Sequence, residues 1–213
     1  MAEFTIYPDG DGYLQSFEYA GTSTSDAFSS ARSGVNMSEN YTNALMQVKC
    51  TMLTFTAPDY YCYLLRSYMI FDTSVLGGEA VASVDLVLTS NNANNAPYNH
   101  YVVAFNPTTQ TAPVGTDEWG NFGGTSFASF AVSGTPDTVY TASLSQDGID
   151  EVDPNGDTFY GILDSNDFNN TNPNADYYHD MDYYASEETG TTRDPHLVVV
   201  TGGGGGTGFL AMF

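Results

Sequence analysis

The chain has 213 residues, and 26 Asp and Glu against only 4 Lys and Arg give it a formal net charge of −22. A surface this acidic repels polyanions, which excludes nucleic-acid binding, and it also repels anionic membranes. Only 14% of the residues are charged, so the imbalance comes from missing bases. A plain acidic exterior, solubility at high salt and cation binding each explain it.

The N-terminal half alternates apolar runs with turns, which predicts β-strands. The 16 Tyr and 13 Phe also suit strands more than helices. We expect a long polar surface loop over residues 20–44, with one short helical turn at 25–32. The predicted strands of this half cover residues 4–7, 13–17, 45–56, 61–71 and 81–89.

The C-terminal half continues the pattern and ends in a predicted hairpin over residues 183–201. No apolar run in the chain is long enough to span a bilayer. Many short strands joined by polar turns predict one all-β domain, a sandwich or a jelly roll, over residues 1–201. This half has predicted strands at 101–105, 139–144 and 158–164, a helical turn at 146–152, and an Asn- and Asp-rich loop at 164–182.

Four blocks of the chain carry a resemblance to a known family. The more specific ones are the closing segment 183–201 and the block from Arg66 through Phe71-Asp72-Thr73-Ser74 to the strand at 80–88. The blocks at 7–13 and 141–167 are weaker. In this order and spacing, the chain resembles the DNRLRE-like jelly-roll domains of phage virion proteins and bacterial surface proteins. The resemblance implies an antiparallel jelly-roll β-sandwich with a display or structural role, and no specific ligand.

One hairpin departs from the family pattern because it is longer and more hydrophobic. It carries Met52, Leu53, Phe55, Tyr61 and Tyr63 around the turn at 57–59. The two cysteines, Cys50 and Cys62, flank the same turn, but pairing about that turn does not place them directly opposite each other. This favours free buried thiols over a disulfide.

Two loops are candidate calcium sites, although no cofactor is required by the sequence. Asp153, Asn155 and Asp157 space oxygen ligands two apart around a glycine, and Asp9 and Asp11 do the same more weakly. Neither loop continues into the twelve-residue calcium pattern. The alternative for both loops is an ordinary Asx turn, which forms without a metal.

Two further constellations link distant segments. Arg66 opens an apolar strand, so we expect it to be partly buried and paired with Glu187 of the closing segment. Two exposed side chains with other partners are the alternative. Trp119, Tyr177 and Tyr178 form a candidate aromatic platform for glycans, with core packing as the competing explanation.

The segment 202–213 reads as a glycine linker followed by an apolar tail of Phe209, Leu210, Met212 and Phe213. Ordering glycines costs much entropy, so such a tail orders only if its large side chains are buried. We expect it to dock the domain onto a virion protein or onto a neighbouring copy in a homo-oligomer. A tail that has no fixed structure is the alternative.

No nucleophile elbow, Ser-His-Asp order or metalloprotease motif involves the three histidines. We therefore expect a non-enzymatic virion structural protein: a capsid decoration, a head fibre or a tail-associated protein. The first residues lack the regions of a signal peptide, which favours assembly in a host cytoplasm. The alternative is a carbohydrate-binding or adhesion module of a cell-surface or secreted protein, and a secreted hydrolase is a distant third.

Overall fold

The structure is a computed structural model that describes residues 1–20, 23–40, 45–56, 59–94, 97–109, 114–174, 176–186, 190 and 192–202. No described helix is long and apolar enough to cross a membrane. The strands are β1 Glu3–Ile6, β2 Gly10–Ala20, β3 Ser38–Asn40, β4 Leu45–Thr56, β5 Asp59–Asp72, β6 Val81–Asn94, β7 Tyr98–Phe105, β8 Phe122–Val132, β9 Val139–Ser143, β10 Asp157–Asp164, β11 Tyr177–Tyr184 and β12 His196–Thr201. The α-helices are α1 Thr24–Arg32, α2 Gln146–Asp150 and α3 Ser165–Asn169, and short 3-10 turns lie at Ser74–Leu76 and Thr116–Asn121.

The predicted all-β antiparallel fold is confirmed. The strands form a curled sheet in the order β1-β12-β6-β11-β4-β5-β10-β7-β8, with β2, β3 and β9 off this path. Strand β6 serves both parts of the curl, because its first half pairs with β12 and β9 and its last residues pair with β11. The predicted strand at 61–71 lies in β5, and the last part of the segment predicted as a hairpin, 197–201, lies in β12.

The sheet divides along one edge of β5. The first half of β5, Asp59–Leu65, pairs with β4, and Ser67 onward pairs with β10. At this fork the Ser67 hydroxyl donates to the carbonyl of Gln47 at 2.9 Å. Beyond the fork the β4 side and the β10 side contribute residues to the same hydrophobic core, as a sandwich requires. Arg66 lies at the point of division.

A second hydrophobic core lies against one face of the β4–β5 pair. From the part of the pair before the fork it takes even-numbered residues: Cys50, Met52, Cys62 and Leu64. Helix α1 covers it with Ala27, Phe28 and Ala31, which repeat at the spacing of one helical face. The Ser23 hydroxyl caps the helix by accepting from the Asp26 amide at 3.1 Å.

Two expectations about the connections are corrected. Strands β11 and β12 do not pair with each other as a closing hairpin, because they pair with different halves of β6. The predicted loop at 164–182 contains α3 and the first part of β11. The predicted helical turn at 25–32 is a helix of nine residues, and β8 had no predicted counterpart.

Both cysteines are free and buried, as expected from their spacing. Met52, not Cys50, is opposite Cys62 in the β4–β5 ladder. Burial raises the pKa of the Cys62 thiol to about 12 and raises that of Cys50 well above its usual value. A protonated, buried thiol is a poor nucleophile.

We therefore expect iodoacetamide at pH 8 to leave both thiols of the native protein unmodified and to alkylate both in denaturant. Mass spectrometry of the two samples gives the stoichiometry directly. Rapid alkylation of the native protein would contradict the packing described for the second core.

Candidate functional site

Half-exposed aromatic side chains line the face of β5 that points away from the second core. Residues directly opposite each other in an antiparallel ladder share a face. The pairs Tyr178–Thr51, Thr51–Tyr63 and Tyr63–Phe17 are directly opposite, so these residues form one row across β11, β4, β5 and β2. We call Phe17, Tyr61, Tyr63 and Tyr178 the aromatic row; Tyr61, two residues from Tyr63, shares its face.

The rings of the aromatic row are ordered against one another. Phe17 and Tyr63 have centroids 5.7 Å apart and ring planes 17° from parallel. Tyr61 and Tyr63 are 6.5 Å apart at 16°. Tyr178 is 41% exposed, and the other three are half-buried. Parallel, partly exposed rings fixed by a sheet form a rigid surface that a ligand meets at low entropic cost.

A polar edge adjoins the aromatic row on the same face of β4 and β11. Lys49 Nζ contacts Asp180 Oδ2 at 2.9 Å, and Gln47 Nε2 donates to Asp182 Oδ1 at 2.6 Å. Lys49 is opposite Asp180 in the ladder, one alternate position along from Thr51 and Tyr178. The face therefore combines apolar rings with partly exposed hydrogen-bonding groups.

Arg66 is buried at the fork of the sheet, and its carboxylate partner is Asp167 of α3. Arg66 Nε donates to Asp167 Oδ2 at 2.7 Å, and Nη2 donates to Oδ1 at 2.8 Å. Nη1 donates to the Trp119 carbonyl at 2.8 Å, and the guanidinium lies 4.0 Å from the Trp119 ring centroid. The expected burial of Arg66 is thus present, with Asp167 as the paired carboxylate. The proposed partner, Glu187, lies outside the described residues.

The predicted platform of Trp119, Tyr177 and Tyr178 is not brought together as an exposed surface. Trp119 is only 4% exposed, and its Nε1 donates to the Arg32 carbonyl at 3.0 Å. Tyr177 packs against the second core, whereas its neighbour Tyr178 points to the opposite face. Only Tyr178 of this set belongs to the aromatic row.

The two predicted calcium segments lie near each other, because the Asp9 amide donates to the Ile70 carbonyl and Phe159 of β10 is opposite Ile70. Burial, and then the carboxylates of Asp72, Asp9 and Asp153, raise the pKa of Asp157. Asp153 Oδ1 accepts from the Asn155 amide at 2.9 Å, which is an Asx turn. The described residues contain no cluster of three or more His, Cys, Asp or Glu arranged to hold a metal. Calcium binding stays a prediction.

Asp11, the other predicted ligand of the first segment, is buried. Its Oδ2 accepts from the Ser186 amide at 2.9 Å and so ties β2 to the residues that follow β11. This carboxylate therefore has a structural role. The tail residues Phe209, Leu210, Met212 and Phe213 lie outside the described residues.

Two histidines from segments unrelated in sequence meet around Tyr98. The His179 ring stacks on Tyr98 with centroids 3.9 Å apart, and the His100 ring centroid is 5.3 Å from that of Tyr98. His179 Nδ1 is 2.7 Å from Asp164 Oδ2, and His100 Nδ1 is 2.7 Å from the Tyr183 hydroxyl. Both histidines are buried, so this cluster is part of the interior.

No family model matches the chain, and no curated protein matches it in sequence. Among solved structures, the chain is similar to the K1 cleaved adhesin domain of Lys-gingipain from Porphyromonas gingivalis W83. The two are 12% identical, the match covers 94% of this chain and 91% of the other, and the TM-score is 0.30. Functional inference for this chain therefore rests on the geometry of its own faces.

Proposed function

We propose that this protein is a non-enzymatic recognition module that binds carbohydrate chains through the aromatic row. The observation that supports this most directly is the set of parallel, half-exposed rings of Phe17, Tyr61 and Tyr63 on a rigid sheet. The polar edge formed by Lys49 and Asp180 supplies hydrogen-bonding groups beside the rings.

The class of ligand follows from charge and shape. Aromatic rows on sheets stack on nucleobases or on sugar rings, and both ligands combine flat faces with polar edges. The net charge of −22 repels nucleic acid. A neutral oligosaccharide has apolar C–H faces for the rings and hydroxyl groups for the polar edge, and it carries no charge to be repelled. Such ligands coat cell surfaces, so we propose a surface or extracellular site of action.

The histidines support the non-enzymatic part of the proposal. His100 is fully buried, and the Nδ1 atom of His179 is engaged with the buried Asp164 carboxylate. Neither belongs to the aromatic row, where the proposed ligand binds. The virion role and the docking tail stay predictions, and the residues on which the tail prediction depends lie outside those described.

A glycan array tests this function with wild type and the double variant Tyr61→Ala/Tyr63→Ala. We expect wild type to bind neutral oligosaccharides and the double variant to bind at least about tenfold more weakly, since each aromatic contact contributes about 1 kcal/mol. Both side chains are half-buried and stack on each other, so the melting temperature should fall, and binding is compared at a temperature at which thermal unfolding shows the double variant to be folded.

Tyr7→Ala is the matched control, because Tyr7 is an exposed tyrosine that packs on His196 and lies outside the aromatic row. It should bind glycans as wild type does. Absence of glycan binding by wild type, or equal binding by the double variant, would overturn the proposal. A concentration-dependent dimer that the double variant loses, without glycan binding, would make the row a contact between copies instead.

A further inference from the structure

A cavity of about 270 Å³ opens beside Arg66 on the face opposite the aromatic row. It is lined by Arg32, Arg66, Gly120, Phe122, Gly123, Gly124, Leu163, Asp167 and Phe168. Small-molecule pockets are typically about 300–1,000 Å³, so this one suits a ligand of monosaccharide size or smaller. Two of the four Lys and Arg residues of the chain converge here.

The charges in this arginine pocket do not balance. Arg32 and Arg66 share one carboxylate, that of Asp167, which is 1% exposed. Two guanidinium groups against one carboxylate leave one positive charge in a chain whose net charge is −22. A monovalent anion would neutralise this charge, whereas a dianion would leave excess negative charge in an already acidic protein.

The two arginines differ in what they still offer to a ligand. Arg66 uses Nε, Nη1 and Nη2 in hydrogen bonds to Asp167 and Trp119. Within the described part of the chain, the Arg32 side chain donates only from Nε, to Asp167 Oδ1 at 3.0 Å. Its side chain is 30% exposed, so its terminal nitrogens remain available at the pocket. Arg66 and Asp167 thus position Arg32.

Glycines and aromatic rings shape the rest of the arginine pocket. A Cβ placed on Gly120 or Gly124 would meet no atom within 4 Å, so open space lies where these side chains would begin. Phe122 and Phe168 form apolar walls. The pocket therefore combines a guanidinium fork with aromatic surface and room for a ring.

We propose that the arginine pocket binds the carboxylate of a hexuronic acid as a free, singly charged sugar acid. The planar fork of Arg32 matches a carboxylate, and one carboxylate balances the charge of the pocket. Phe122 and Phe168 pack against the sugar ring. This site is independent of the proposed function, because it lies on the opposite face of β5.

The test titrates sodium D-glucuronate into isotope-labelled full-length protein, with D-glucose and inorganic phosphate as matched ligands. We expect saturable shifts of the Gly123 and Gly124 amides with glucuronate and none with glucose. Arg32→Gln should weaken binding at least about tenfold, and added salt should weaken it in wild type. Arg193→Gln removes an arginine outside the pocket and should leave binding unchanged.

Gly124→Val supplies a second variant, which adds bulk at a glycine that lines the pocket without removing an ion pair. It should also abolish glucuronate binding while the protein stays folded, because a valine there meets open space. Equal binding of glucose, tighter binding of phosphate, unchanged binding by Arg32→Gln, or no saturable binding would each overturn the proposal. Tyr61→Ala/Tyr63→Ala should keep glucuronate binding, so failure at the aromatic row is distinguishable from failure here.

Discussion

Replacement of Arg66 by alanine is expected to lower the free energy of unfolding by about 3–5 kcal/mol. Asp167 is 1% exposed and receives two hydrogen bonds from the Arg66 guanidinium. Without them, only Arg32 compensates a buried carboxylate, and the Trp119 carbonyl loses a donor. Chemical denaturation of wild type and variant measures the difference directly.

Arg193→Ala is the control for this substitution. Arg193 is 46% exposed and lies 3.5 Å from the exposed Asp137, so its loss should cost no more than about 1 kcal/mol. A double-mutant cycle with Asp167→Asn should show strong coupling to Arg66 and none to Arg193. If Arg66→Ala left the free energy of unfolding unchanged, the buried ion pair described between Arg66 and Asp167 would be contradicted.

The free energy of unfolding is expected to fall in acid because His100 is buried in the folded protein. Burial, and then the neighbouring His179, lower the pKa of His100 to about 3 from about 6.5. The folded protein therefore stays unprotonated at this residue while the unfolded chain takes up a proton below pH 6.5. The contribution of His100 to the free energy of unfolding is fully present above pH 6.5. It is lost as the pH falls toward 3, at about 1.4 kcal/mol per pH unit.

The comparison that isolates this effect is wild type against His100→Gln. Asp164 is opposite His100 in the β7–β10 ladder, and its own raised pKa acts in both proteins. Between pH 6.5 and 4, wild type should lose about 3 kcal/mol more than the variant. Loss of the Tyr183 contact should lower the variant's stability equally at each pH. If the free energy of unfolding had the same pH dependence in the two proteins, the pKa of His100 would not be lowered by folding, and the prediction would be wrong.

The strands followed from the sequence because period-two alternation is a local property. The run at 61–71 and the apolar run at 197–201 both lie in strands of the structure. The pairing of the strands was less predictable, since it depends on contacts between segments that are far apart in the chain. The closing segment reads locally as a hairpin, yet its two strands occupy different halves of β6. Only long-range pairing decides this.

The burial of Arg66 was predictable, but its partner was not. A basic residue that opens an apolar strand needs a carboxylate, and the chain has 26 Asp and Glu to choose from. Asp167 is 101 residues away, in a segment whose Asn and Asp content favoured a loop. The exchange of β4 for β10 along β5 brings α3 to Arg66, and no local pattern reveals that exchange.

The aromatic row was visible in the sequence only as an unusually hydrophobic hairpin. Trp119 was the more obvious platform residue because of its size, but the second core takes its ring. Phe17 joins Tyr63 through the β2–β5 register, which pairs residues that are far apart in the chain. Alternation along β5 does show that Tyr61 and Tyr63 share a face opposite Cys62 and Leu64.

Amide chemical-shift mapping with the tightest-binding neutral oligosaccharide from the array locates the glycan-binding surface. We expect saturable shifts that centre on Phe17, Thr51, Tyr61 and Tyr63, with the amides around Trp119 and Arg66 unchanged. Shifts confined to other parts of the molecule would contradict binding at the aromatic row.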